Sequence, residues 1–213
     1  ISFDGDGDRV IFSDENGEIV NGDIIMGICA RQMKSQNLLN QNTMVTTVMS
    51  NFGFEKSMER EGIKLVRTDV GDRYVMAEML KSGYNLGGEQ SGHIIFSDHN
   101  TTGDGLVSAM QLLKVLVRTG KPLSELKKFI ILYPQVLKNF MVESKIPLEQ
   151  LVKTTAEIEA VNKELAGTGR VLVRYSGTEN KLRVMLEGED LEKITEYADN
   201  IGNLAVKEIR ELS

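Results

Sequence analysis

The sequence has no tryptophan, one cysteine, three prolines and two histidines among its 213 residues. A single cysteine excludes an internal disulfide and fits a reducing compartment, so a cytoplasmic setting is expected. Cys29 lies in the apolar run Ile24-Ile25-Met26-Gly27-Ile28-Cys29-Ala30, which marks a buried structural thiol rather than a nucleophile. No apolar run approaches the ~20 residues of a membrane span, and the N-terminus lacks a signal-peptide pattern. A membrane partner is therefore not expected. Basic residues are outnumbered, 25 Lys and Arg against 31 Asp and Glu, giving a net charge of −6. That balance argues against nucleic acid, a polyanion, as the main partner. The apolar fraction of 41% is ordinary for a chain that buries a core. There is no initiating Met, and the first residues read as the middle of a strand, so a fragment of a longer chain is expected.

What the sequence does have is concentrated at its start. In Asp4-Gly5-Asp6-Gly7-Asp8-Arg9, three carboxylates alternate with glycines. Like charges this close repel and raise one another's pKa. A hard divalent cation removes that cost, and carboxylate oxygens without His or Cys suit Mg²⁺ first, with Ca²⁺ and Mn²⁺ next. Asp4, Asp6 and Asp8 are the expected metal ligands. Arg9 adds a fixed cation suited to a phosphate. The spacing also overlaps an EF-hand loop, with Glu15 at its twelfth position. However, Arg9 occupies the place where the sharp turn needs glycine, and only Ile1-Ser2-Phe3 precede the loop, too little for an entering helix.

Strand and helix patterns alternate from there to about residue 130, which indicates an α/β layer. Strands are expected at Val10–Phe12, Thr43–Met49, Lys64–Arg67 and Ile94–Phe96. Helices are expected from Asp23, as cap, to about Gln36, and at Asn51–Glu61, Gly71–Lys81, Gly103–Arg118 and Leu123–Phe129. From about Ile131 the order becomes β-α-β-β-α: Gln135–Val142, Leu148–Leu165, Val171–Arg174, Leu182–Leu186 and Leu191–Leu212. The expected fold is a three-layer α/β domain with a mixed sheet, then a small two-layer α+β domain. The expected segments are 1–19, carrying the metal loop, then 20–130 and 131–213.

Two further stretches carry polar chemistry. Gly87-Gly88-Glu89-Gln90-Ser91-Gly92-His93 offers glycines for close backbone approach to a ligand, with Glu89, Gln90 and Ser91 suited to sugar hydroxyls or an amino group. His93 reads either as a general acid or base or as a histidine satisfying its own loop. Arg174-Tyr175-Ser176-Gly177-Thr178-Glu179-Asn180-Lys181, with Arg183 beyond it, combines guanidiniums, hydroxyls and a flexible backbone. That is how a phosphate is held. Arg174, Ser176, Gly177, Thr178 and Arg183 are its expected contacts. Gly71-Asp72-Arg73 is a weaker candidate that reads equally well as a helix cap. A metal, a hydroxyl-reading loop and a phosphate clamp together describe a site for a sugar phosphate.

These three loops, in this order, resemble those of the α-D-phosphohexomutases over essentially the whole chain. Glu89-Gln90-Ser91-Gly92-His93 and Arg174-x-Ser176-Gly177-Thr178-Glu179 look most like the amino-sugar branch. The phosphomannomutase and phosphoglucomutase branch is the alternative. Tyr175 and Asn180 stand where the family pattern has prolines, and neither change removes a donor. The family's catalytic phosphoserine loop, of the Thr-Ala-Ser-His-Asn-Pro type, has no counterpart here, so this chain alone is expected to be inactive. The resemblance implies interconversion of glucosamine 6-phosphate and glucosamine 1-phosphate through a hexose 1,6-bisphosphate, which also serves as activator. It implies Mg²⁺ on Asp4, Asp6 and Asp8, assistance from Arg9, and proton transfer by His93. It also implies sugar contacts from Glu89, Gln90 and Ser91, and a place in amino-sugar precursor synthesis; it allows a homodimer.

Overall fold

The computed structural model describes residues 1–212 and divides them into two compact units, Ile1–Leu132 and the residues from Tyr133 onward. The first unit opens with a three-stranded antiparallel sheet of β1 (Ser2–Phe3), β2 (Val10–Ser13) and β3 (Ile19–Val20). The acidic loop is the connection between β1 and β2. A mixed sheet follows in the order β5-β4-β6-β7, formed by β4 (Thr43–Thr47), β5 (Lys64–Thr68), β6 (Leu86–Gly88) and β7 (Ile94–Phe96). β4 runs parallel to β5 and β6, whereas β7 returns antiparallel to β6.

Helices cover both faces of this sheet. The main core joins Ile24, Ile25 and Ile28 of α1 (Gly22–Ser35), Phe54 and Met58 of α2 (Phe52–Arg60), and Ala109 and Leu112 of α4 (Gly105–Thr119) to Met44, Leu86 and Ile94 of the strands. On the opposite face, Val75 and Met79 of α3 (Asp72–Ser82) pack on Val45 and Ile95. Alternate residues of β4 thus feed the two cores, as the period of two in a strand requires. All five residues of β4 are buried, which is why the segment reads as a continuous apolar and β-branched run. The strand stops at Thr47, short of the expected Met49, where the chain turns and the Ser50 N–H bonds Thr47.

Local chemistry sets the helix starts. Asn21, not Asp23, caps α1, accepting from the Ile24 N–H at 3.2 Å. Asp23 is fully buried inside the first turn and accepts from the Asn51 N–H at 2.8 Å, so it ties α1 to the start of α2. Asp104 caps α4 through the Val107 N–H, which moves the helix start from the expected Gly103 to Gly105. The short α5 (Leu123–Leu126) ends earlier than its apolar pattern suggests.

The second unit is a two-layer α+β structure. Its antiparallel sheet has the order β8-β10-β9, from β8 (Gln135–Met141), β9 (Gly169–Tyr175) and β10 (Lys181–Gly188). α6 (Val152–Glu164) and α7 (Leu191–Leu212) cover one face. The single helix expected from Leu148 to Leu165 is broken. A 3-10 turn at Leu148–Gln150 gives way to α6 after Leu151, which is fully buried and offers no side-chain cap. The cap comes from α7 instead: the Glu208 carboxylate accepts from the N–H groups of Lys153 and Thr154 at 2.9 Å each, and from the Thr154 hydroxyl at 2.7 Å.

Candidate functional site

In the first unit the acidic loop folds back on itself. One carboxylate oxygen from each of Asp4, Asp6 and Asp8 lies within 4.8 Å of the others. Octahedral Mg²⁺ with ligands at 2.0–2.1 Å brings neighbouring oxygens to about 3 Å, so small side-chain rotations close the set. Asp8 Oδ1 is buried without a hydrogen bond among the described residues, an acceptor a cation would satisfy. Burial pushes the Asp8 carboxyl up, and the Asp4 hydrogen bond and the charges of Asp6 and Asp4 push the same way. Desolvation pushes Asp4 up too, but the Arg9 N–H at 3.2 Å, the bond to Asp8 and the Arg9 guanidinium hold it below the usual carboxylate range. Arg9 Nε lies 3.7 Å from Asp4 and 3.8 Å from Asp8. The arrangement is a crowded carboxylate cluster held together by one guanidinium, and it fits a hard divalent cation. It does not fit an EF-hand. β-strands flank the loop on both sides, and the Glu15 carboxylate accepts from Ser124 instead of turning to the loop.

Backbone bonds lock the Glu89–His93 loop to the acidic loop. Val10 N–H donates to Gly92 O at 3.1 Å, and Arg9 and His93 form an antiparallel bridge. Gly92 has φ +94°, and a Cβ there would meet Val10 O at 2.3 Å, so glycine is required twice over. Gly22 N–H, at the start of α1, donates to Gln90 O at 3.0 Å. The expectation that the glycines here open space for a ligand is corrected for Gly87 and Gly88. Both lie in β6, and Cβ atoms there would strike Met79 and the His93 carbonyl. They admit protein neighbours.

Within the loop, Glu89 accepts from Gly71 N–H at 2.9 Å and from the Ser91 hydroxyl at 3.3 Å. Gly71-Asp72-Arg73 is thus the start of α3 and one anchor of Glu89. Gln90 has no side-chain hydrogen bond among the described residues. His93 is 5% exposed, its Nε2 is 3.7 Å from Asp8 Oδ2, and its Nδ1 has no partner among the described residues. Its ring lies so close over Gly103 that a Cβ there would come within 2.2–2.5 Å of it. His93 is therefore a buried neighbour of the acidic cluster. The sequence reading missed Gly103 and Gly105. Gly105 N–H donates to Gly7 O at 3.0 Å, and a Cβ at 105 would meet Arg9 O and Gly7 O at 2.6 and 2.7 Å. Two glycines flanking the helix cap Asp104 were the available signal.

In the second unit, Arg174 and Arg183 are directly opposed across β9 and β10. The intervening loop turns on buried Ser176. Its hydroxyl accepts from Arg183 Nη2 and from Glu179 N–H, both at 3.4 Å, and its N–H donates to Lys181 O at 2.8 Å. Lys145, also missed from sequence, donates to Ser176 O at 2.7 Å. Tyr175 fixes the loop where a proline was expected, through a hydroxyl bond to Ile146 O at 2.6 Å. Gly177 and Thr178 are exposed at the tip. Arg183 Nε is buried with no partner, and neither arginine forms a close ion pair among the described residues, although Lys181 first and the Arg183 charge after it lower the exposed Glu179 carboxyl nearby. Two adjacent guanidiniums without a close carboxylate fit an anion.

Comparison with known proteins agrees with the two-unit description. Residues 21–133 match the phosphoglucomutase/phosphomannomutase alpha/beta/alpha domain III, and residues 137–204 match the C-terminal domain of the same family. The chain is 53% identical over 209 residues to phosphoglucosamine mutase of Brevibacillus brevis, covering 98% of this chain and 47% of the relative. It is 55% identical over 201 residues to phosphoglucosamine mutase of Bacillus subtilis, covering 94% of this chain and 45% of the relative. The chain thus spans about half the length of the curated relatives it matches. It shares a fold with Aspergillus fumigatus N-acetylphosphoglucosamine mutase, solved in complex with GlcNAc-6P and magnesium. The TM-score is 0.76 at 21% identity, over 98% of this chain and 48% of that one. No described helix is long and apolar enough to cross a membrane. On its domain matches, its fold and its three loops, the chain belongs to the phosphoglucomutase/phosphomannomutase family.

Proposed function

We propose that this chain supplies the metal, sugar and phosphate-binding loops of a mutase that interconverts glucosamine 6-phosphate and glucosamine 1-phosphate. One observation carries the reading: the acidic loop and the Glu89–His93 loop are a single backbone-bonded unit, tied through Val10–Gly92 and Arg9–His93. Cation-binding and hydroxyl-reading groups are thereby held in fixed register, as a phosphorylated sugar requires. Identities of 53–55% to relatives named phosphoglucosamine mutase favour the amino sugar.

In this reading Asp4, Asp6 and Asp8 hold Mg²⁺, which when bound neutralises charge on a transferring phosphoryl group. Arg9 is released from the carboxylates toward phosphate oxygens. Glu89, oriented by Gly71 N–H and Ser91, accepts from sugar hydroxyls, and Gln90 offers its free amide to the 2-amino end. His93 is the proton-transfer candidate beside Asp8. Arg174, Ser176, Gly177, Thr178 and Arg183 hold a phosphate.

The test uses a longer protein containing this sequence, with Mg²⁺ and a hexose 1,6-bisphosphate activator. Glucosamine 6-phosphate, glucose 6-phosphate and mannose 6-phosphate are compared. Preference for the amino sugar is expected. Preference for a neutral hexose would overturn the amino-sugar assignment, and turnover of none would overturn the mutase reading. The 213-residue chain assayed alone is expected to give no turnover, because it has no phosphoserine loop.

A further inference from the structure

Asn139 stands in one cross-strand row with Arg183 and Arg174. Directly opposed residues of antiparallel strands project on the same side, with Cβ atoms about 4.5–5.5 Å apart. That side faces away from the helices. The neighbouring Lys138 and Phe140 of β8 point the other way, Lys138 to Asp199 of α7 at 2.6 Å and Phe140 over Gly202. The same side carries a second polar row four residues along the strands, Gln135–Glu187–Arg170, whose central Glu187 is fully buried. It is internally complete: Gln135 Nε2 donates to Glu187 at 2.9 Å, and Arg170 Nε to Glu187 at 2.6 Å. An amide from β8 and a guanidinium from β9 converge on a central carboxylate.

The Asn139 row repeats this pattern with its anion missing. It has an amide on β8 and a guanidinium on β9, but the centre is Arg183. Arg183 Nε is buried without a partner, and the exposed Asn139 amide bonds nothing among the described residues. Apart from the long bond from Arg183 Nη2 to Ser176 Oγ at 3.4 Å, the three side chains of this row have no hydrogen-bond acceptor among the described residues.

We infer that Asn139 is a third side chain of the anion site, donating from Nδ2 to an oxygen of the phosphate that Arg174 and Arg183 neutralise. The inference rests on the phosphate reading of the Arg174–Arg183 loop and adds a residue outside that loop. It explains why an exposed strand position bears a free amide beside two cations.

The experiment titrates the full chain with inorganic phosphate and with glucosamine 6-phosphate, following affinity by calorimetry. The Asn139 side-chain amide, identified by its loss in Asn139→Ala, is followed by ¹⁵N NMR. Wild type, Asn139→Ala and Arg183→Ala are compared. The expected result is a shift of the Asn139 amide with saturation, about 3- to 10-fold weaker binding in Asn139→Ala, the scale of one neutral hydrogen bond, and a larger loss in Arg183→Ala. Thermal stability of Asn139→Ala should be nearly unchanged, because the exposed side chain has no hydrogen bond to lose among the described residues. Wild-type affinity in Asn139→Ala with an unmoved amide, while Arg183→Ala binds weakly, would overturn the role of Asn139 and leave the phosphate site standing. No phosphate binding by wild type would overturn both.

Discussion

Arg183→Ala separates a functional arginine from a structural one by the sign of two effects. Removing it from a phosphate site deletes a charge-assisted hydrogen bond, worth ~1.5–3 kcal/mol. At ~1.4 kcal/mol per tenfold, sugar-phosphate affinity should fall about 12- to 140-fold. The unliganded protein loses little. Among the described residues, the one side-chain bond of Arg183 there is to Ser176 Oγ at 3.4 Å, at the long limit of a hydrogen bond. Against that loss, truncation removes a buried unpaired Nε, which carries a desolvation cost of ~1–3 kcal/mol, and relieves repulsion from Arg174 on the facing strand. Stability without ligand should therefore stay level or rise, and for a unit this small each kcal/mol moves Tm by about 4–8 °C. Calorimetric titration with glucosamine 6-phosphate gives the first quantity, and thermal unfolding with and without ligand gives the second. Unchanged affinity, or a clear drop in the unliganded Tm, would refute the reasoning, because Arg183 would then be holding the fold.

Three further outcomes follow from the same geometry. Asp6→Asn should weaken Mg²⁺ binding at least 10-fold in a direct titration; unchanged binding would remove the acidic loop as the metal site. Gly105→Ala pushes a methyl group against the Arg9 and Gly7 carbonyls, so it should cost ~1–3 kcal/mol of stability and lower Mg²⁺ affinity, because the loop must shift to relieve the clash. Wild-type unfolding and metal affinity would contradict that close approach. Burial pushes the Glu208 carboxyl up, but the Lys153 and Thr154 donors outweigh it and hold the group below the usual glutamate range. A depressed carboxyl stabilises fully above its unfolded pKa, about 4.3, and that stability is lost as pH falls through the folded value. Glu208→Gln should thus cost ~1.5–3 kcal/mol at pH 7 by urea unfolding, and the gap to wild type should shrink near pH 3. An equal gap at both pH values would refute the capping role.

Short-range chemistry was legible before any coordinates. The acidic loop was legible as a candidate cation site because three carboxylates within five residues stay close wherever the chain goes. The alternation of strands and helices, and its change of rhythm near Ile131, followed from hydrophobic period alone, and the compact units divide at Leu132. Arg174 and Arg183 were legible because a hairpin brings nearby residues face to face. Misreadings fell where a distant partner decides. Asp23 looked like a cap because Asp caps helices, but Asn51 claims its carboxylate. The helix at Leu148–Leu165 breaks because its cap lies on Glu208, more than 50 residues away. Gly87 and Gly88 looked like ligand space and instead admit Met79 and His93.

Residue type and local spacing set which residues carry charge, which segments bury, and which polar groups cluster within a loop. Those properties depend on residue type and spacing along a few turns of chain. Long-range packing was needed to bring Gly71 to Glu89, Gly105 and Gly103 over the acidic loop and His93, and Asn139 into the arginine row. Each is a contact between residues far apart in the chain, set by packing and strand register. No local pattern encodes a partner whose position is fixed only when the whole core has formed.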